Sequence, residues 1–166
     1  MESDIIYETK IKYTGVFNLN DLYNLLYDFL SDGGYFVMEE GYSEKIKAEG
    51  KEIEIKWTCL KKVTDYFRFR LKITWRLFRV VDVEIMKNGK KIKMNKGDLE
   101  IKFTSILDRD YEHKFEISPF HKFLRAIYEK YIIKNRIEQM EEKLVEETLN
   151  FVNNTKAYLE LEIKTK

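Results

Sequence analysis

In this 166-residue chain the side chains whose types could do chemistry are two histidines, one cysteine and a short acidic run. Asp108, Asp110 and Glu112 flank His113, a set that could form an acid–base cluster, because imidazole titrates near neutral pH beside carboxylates. His121 follows eight residues later. That is not the i, i+4 spacing that puts two imidazoles on one helical face for a metal. Cys59 stands alone, so it supports neither an internal disulfide nor a thiolate cage, and it falls on the apolar side of its segment, where a thiol is inert. There is no glycine-rich phosphate loop and no nucleophile elbow. A polar loop is the simpler reading of residues 108–113. No catalytic residue, metal or cofactor is expected, and the chain reads as noncatalytic.

The elements that position these residues follow from hydrophobic periodicity. Ile5, Tyr7, Thr9, Ile11 and Tyr13 alternate with Ile6, Glu8, Lys10 and Lys12, the period of two that sends successive side chains to opposite faces of a strand. Asn18 is a helix N-cap, with Leu19, Leu22, Tyr23, Leu26, Phe29 and Leu30 on one face behind it, and Ser31-Asp32-Gly33-Gly34 is the stop. The period then returns to two over 35–38 and 42–48, and in Ile53, Ile55, Trp57 and Cys59. The strongest alternation sets Phe67, Phe69, Leu71, Ile73, Trp75 and Leu77 against Arg68, Arg70, Lys72, Thr74 and Arg76. Val81, Val83 and Ile85 lead to Asn88-Gly89, a two-residue hairpin turn. A short strand at 91–94, a turn at Asn95-Lys96-Gly97-Asp98, and Leu99, Ile101 and Phe103 complete an antiparallel meander.

One face of such a sheet must be covered, and the chain supplies the cover. Ser118-Pro119 opens a final helix with the apolar stripe Phe120, Phe123, Leu124, Ile127, Tyr128 and Tyr131, narrowing to Ile137, Met140, Leu144 and Phe151. A straight helix over 119–152 would be about 50 Å long, against about 40 Å for the diameter of a compact chain of this size. A break near 133–136 or an overhang of the distal part, about 137–155, is therefore expected, with the helix ending near Thr155. The fold class is α+β: an antiparallel β-sheet meander with a short N-terminal helix and a long C-terminal helix packed on one face. Residues 1–166 form one domain.

Charge excludes further classes. Thirty Lys and Arg against 29 Asp and Glu leave a net charge of +1, too little for a whole-domain nucleic-acid footprint. Lys87, Lys90, Lys91, Lys93 and Lys96 cluster at the hairpin, but no aromatic side chain interleaves them for base stacking. No window approaches the roughly 18 consecutive apolar residues of a transmembrane helix. The start, MESDIIYETK, lacks the basic and apolar regions of a secretory leader, so a cytoplasmic location is expected.

The order strand, helix, antiparallel strands, long final helix resembles the helix-grip fold of the START and plant-allergen-like superfamily, with one helix before the glycine pair where that family usually has two. The resemblance implies an apolar small molecule or lipid held between sheet and C-terminal helix. Candidate cavity residues are Trp57, Phe69, Trp75, Phe103, Tyr128 and Tyr131; a filled core would use the same residues. An alternative is a structural or assembly protein, self-associating or meeting a protein partner through Ile137, Leu144 and Phe151 on the distal helix, unless these pack within the monomer. A second alternative rests on Glu52-Ile53-Glu54-Ile55-Lys56, which has the Glu-x-Glu-x-Lys spacing of triphosphate tunnel enzymes and would put Glu54 and Arg70 inside a closed, polyphosphate-processing barrel.

Overall fold

The computed structural model describes residues 1–164. Its elements are β1 (Glu2–Phe17), α1 (Leu19–Asp32), β2 (Phe36–Lys47), β3 (Gly50–Lys62), β4 (Phe67–Lys87), β5 (Lys90–Arg109), α2 (Pro119–Ile127), a π-helical turn (Tyr128–Ile132) and α3 (Lys134–Lys164). The five strands form one antiparallel sheet in the order β1-β5-β4-β3-β2, so the first strand closes onto the last while β1 and β2 remain open edges. This is the expected α+β class with a meander sheet, a short helix and a long C-terminal helix.

Alternation in β4 places Phe67, Phe69, Leu71, Ile73, Trp75 and Leu77 on one fully covered face, next to Ile55 and Trp57 of β3 and Leu99, Ile101 and Phe103 of β5. Two helices supply the cover. α1 is capped by the Asn18 side chain, which accepts from the Asp21 N–H, and it buries Leu22, Leu26 and Leu30 at intervals of four. α3 buries Leu144, Phe151, Val152 and Leu159, while the hydroxyl of Thr148 meets that of Ser105 at 2.7 Å in the interior. Fully burying an aliphatic or aromatic side chain of this size contributes about 1.5–3 kcal/mol.

Four sequence expectations change. The turn expected at Asn95–Asp98 is the middle of β5, and the two short strands expected over 35–48 are one strand, β2, bulged between Glu39 and Gly41. Gly97 replaces the turn with a bend: a β-carbon there would lie 2.8 Å from the Phe78 carbonyl, so only glycine lets β5 follow the β4 bulge in which Arg79 has φ 53°. In β1 a register shift between Ile5 and Tyr7 breaks the alternation, leaving Ile5 63% exposed. The final helix breaks at the π turn, where the Ile133 N–H donates to the Tyr128 carbonyl, and α3 then continues past Thr155 to Lys164.

The other face of the sheet is charged and cross-strand paired. Lys10 meets Glu100 at 2.8 Å and Arg76 meets Glu54 at 3.7 Å. Because the sheet is open and the Glu54 side chain is 38% exposed, the enclosed interior of a polyphosphate tunnel is not formed.

Candidate interaction surface

The apolar face of α2 points away from the protein. Ser118 caps the helix, its hydroxyl accepting from the His121 N–H, and Pro119 starts it at the position where a missing N–H costs nothing. From there Phe120, Phe123 and Tyr131 stand well out in solvent, Phe120 to 64% and Tyr131 to 71%, and Leu124 and Ile127 are each 37% exposed. Ile117 before the helix and Ile132 after it are exposed as well.

What faces inward is polar. Arg125, 8% exposed, donates to Glu2 at 2.7 Å and to Glu116 at 3.1 Å, with Asp110 at 3.7 Å. One turn on, Glu129 accepts from the Tyr66 hydroxyl and, at 2.8 Å, from Arg109, which also holds Asp4. Burial and the Glu129 carboxylate together push the Tyr66 phenol well above its ordinary value, so it remains a donor. Between Arg125 and Glu129, Tyr128 stacks on Phe115 and meets Tyr66 edge-on. The helix is thus fixed by charge-assisted hydrogen bonds at both ends of one polar stripe.

The loop before it is pinned by the residues that could have formed an acid–base cluster: Asp110 meets Arg125 directly and His113 meets it through Glu116, while Glu112 and Asp108 pair elsewhere. Asp110 accepts from the backbone N–H groups of Lys114 and Phe115, Glu112 pairs with Lys62 and Lys114, and His113 meets Glu116 at 2.6 Å. Asp108 lies on the opposite face of the sheet, where its carboxylate accepts from Ser3, Arg68 and Arg70. No described residues form a group that could hold a metal ion. Burial pushes the Cys59 thiol up to about 12, which keeps it protonated.

The residues expected to line a cavity do not form one site. Trp57, Phe69, Trp75 and Phe103 are in the core, with the two indoles packed edge-to-face at 5.2 Å. Tyr128 is half-buried beside Tyr66 and Phe115, whereas Tyr131, on the same stripe as Phe120, Phe123 and Ile127, points to solvent. The residues expected on an outer face of the distal helix are turned inward: Leu144 and Phe151 are buried and Ile137 packs beside the core, since α3 lies along β1, β5 and α1. Phe151 closes against Gly33 and meets the Tyr35 ring edge-on at 5.6 Å.

No family model, curated protein or solved structure matches this chain. Its own geometry therefore carries the functional reading.

Clefts also open elsewhere on the surface. One of about 440 Å³ opens between α1 and the β2–β3 edge, lined by Leu19, Tyr23, Glu39, Tyr42, Ile55 and Asn95. The Tyr23 hydroxyl donates to Glu39 at 3.0 Å, and its ring rests on Trp57 at 4.8 Å. Another, about 1030 Å³, runs beside α3 and is walled by Ile6 and by Glu138, Glu141, Glu142 and Glu146. Neither is lined by α2.

The stripe of α2 is visible in the sequence, where it is expected to cover the sheet. Its signal for the opposite orientation is Arg125 and Glu129, spaced i, i+4 on the far side of the helix, with acids at Glu2, Asp4, Asp110 and Glu116 and a base at Arg109 available to meet them.

Proposed function

We propose that this protein is a noncatalytic docking module that attaches to another surface through the outward apolar face of α2. One observation carries the reading: an amphipathic helix is held on the protein by its polar side, so the side that would ordinarily be buried is left to an external partner. Exposed contiguous apolar patches on a soluble domain mark interaction sites, and the ion pairs of Arg125 and Glu129 hold the patch rigid before any partner arrives. The test is the variant Phe120→Ser/Phe123→Ser/Ile127→Ser. The wild-type protein should enhance the fluorescence of anilinonaphthalene sulfonate while folded, and the variant should lose that enhancement with an unchanged near-ultraviolet circular dichroism spectrum. A wild type that leaves the dye dark, or a variant that loses its circular dichroism, would contradict the reading.

A second reading, an apolar small molecule as ligand, is favoured by the cleft beside α1. Its volume is within the range of small-molecule sites, and Tyr23 and Tyr42 wall it, the Tyr23 ring resting on Trp57 and Trp75 of the core. Native mass spectrometry should find a retained small molecule on the wild type and none on Tyr42→Asp. Bare wild-type protein would rule this ligand out.

A further inference from the structure

The geometry points to an anionic phospholipid bilayer as the surface that α2 meets; this rests on the docking reading and names its partner. The first ground is charge. From residue 117 to 137 the basic residues are Lys122, Arg125, Lys130, Lys134 and Arg136, and the only acid is Glu129, which is paired inward with Arg109. Arg125 is consumed beneath the helix, so the unpaired charges within this segment are positive, with Lys122, Lys130, Lys134 and Arg136 on exposed positions, and the acids resume at Glu138 on α3. Lys130 borders the stripe itself, its ammonium 5.3 Å from the Tyr131 ring.

The second ground is the composition and shape of the stripe. At about 100° per residue, Phe120, Phe123, Leu124 and Ile127 fall within one arc of α2, and the exposed Tyr131 on the π turn follows them. A basic polar border beside Phe and Leu is the pattern of helices that lie in the membrane interface, and Tyr is at home where one end is apolar and the other wet. Residues 119–132 extend about 21 Å, short of the roughly 30 Å hydrocarbon core, so the segment lies along the interface and does not cross it. No helix among the described residues is long and apolar enough to cross. A convex ridge also needs no complementary groove to be covered by lipid. The lysine-rich hairpin tip at Asn88-Gly89 is joined to the opposite end of β4 and β5 from α2, so the two basic patches do not share one docking plane.

The experiment is co-sedimentation of the full chain with large unilamellar vesicles. Binding should be strong on phosphatidylcholine containing phosphatidylserine, weak on phosphatidylcholine alone, and reduced by added salt. Lys130→Glu/Lys134→Glu should lower the partition coefficient more than about tenfold, since each basic side chain near an anionic surface matters by several-fold, and Phe120→Ser/Phe123→Ser/Ile127→Ser should abolish binding. Wild-type protein that stays in the supernatant with every vesicle, or binding that neither variant changes, would overturn the lipid assignment. If it does so while the dye still reports an exposed face, the docking reading stands with another partner; a wild type that sediments as a dimer and a triple variant that sediments as a monomer would identify that partner as a second copy. Loss of the dye signal from the wild type would instead remove the docking reading itself.

Discussion

Asp108 and Arg125 are, with Asp110, the buried charges among the described residues, and both pair with side chains of β1. The Asp108 side chain has no exposed surface and receives two of the guanidinium groups of β4, those of Arg68 and Arg70, together with the Ser3 hydroxyl. Burial alone would raise its carboxyl pKa, but the hydrogen bonds from Arg70, Ser3 and Arg68 outweigh it and hold the group below the ordinary aspartate range. A carboxyl depressed in the native state contributes stability that is complete above its unfolded value of about 4 and is lost as the pH falls through the native value. Asp108→Asn should therefore cost about 2–3 kcal/mol at pH 7, as for hydrogen bonds to charged groups. It should also flatten the loss of stability below pH 4. Urea unfolding of both proteins at pH 7 and pH 3 reads this directly, and an equal difference at the two pH values would contradict the assignment.

At the scale of elements, periodicity is enough to place most of the fold. The alternation in Phe67–Leu77, the Asn18 cap with Leu22, Leu26 and Leu30, and the Asn88-Gly89 hairpin each have a local signature, and each element forms where that signature stands. Two features have none. Asn95–Asp98 has turn residues yet lies in a strand, because the bulge at Arg79 and the close approach of Gly97 are properties of two strands together. The orientation of α2 is hidden for a different reason: amphipathic spacing fixes where the apolar side of a helix is relative to its polar side, not which of them meets the protein. That choice was made elsewhere, by α1 and α3 having already covered the sheet. The narrower stripe of α3 is the one that packs, so Leu144→Ala should destabilise the protein by about 2–5 kcal/mol, the usual range for a buried leucine. Denaturant unfolding with no change in midpoint would show that α3 is not part of the core.

For the whole molecule, the arrangement is a charged, cross-paired sheet face on one side, two helices closing the core on the other, and a third short helix mounted at the edge by ion pairs with its apolar face outward. The candidate site was only partly legible in the sequence. Residues 120, 123, 124, 127 and 131 are recognisable as a set, but the partners of Arg125 and Glu129 come from β1, β5 and two loops that only folding brings together. A stripe that faces solvent carries little of the stability of the fold. The most direct measurement is the thermal midpoint of Phe120→Ser/Phe123→Ser/Ile127→Ser against wild type. Solvent-facing substitutions change stability by about 0.5 kcal/mol or less each, so the variant should keep a midpoint within about 5 °C of wild type, each kcal/mol being worth roughly 2–4 °C at this size. Three large side chains removed from a core would cost about 9 kcal/mol or more; a fall of about 20 °C would show that α2 turns its apolar face inward and would contradict the docking function.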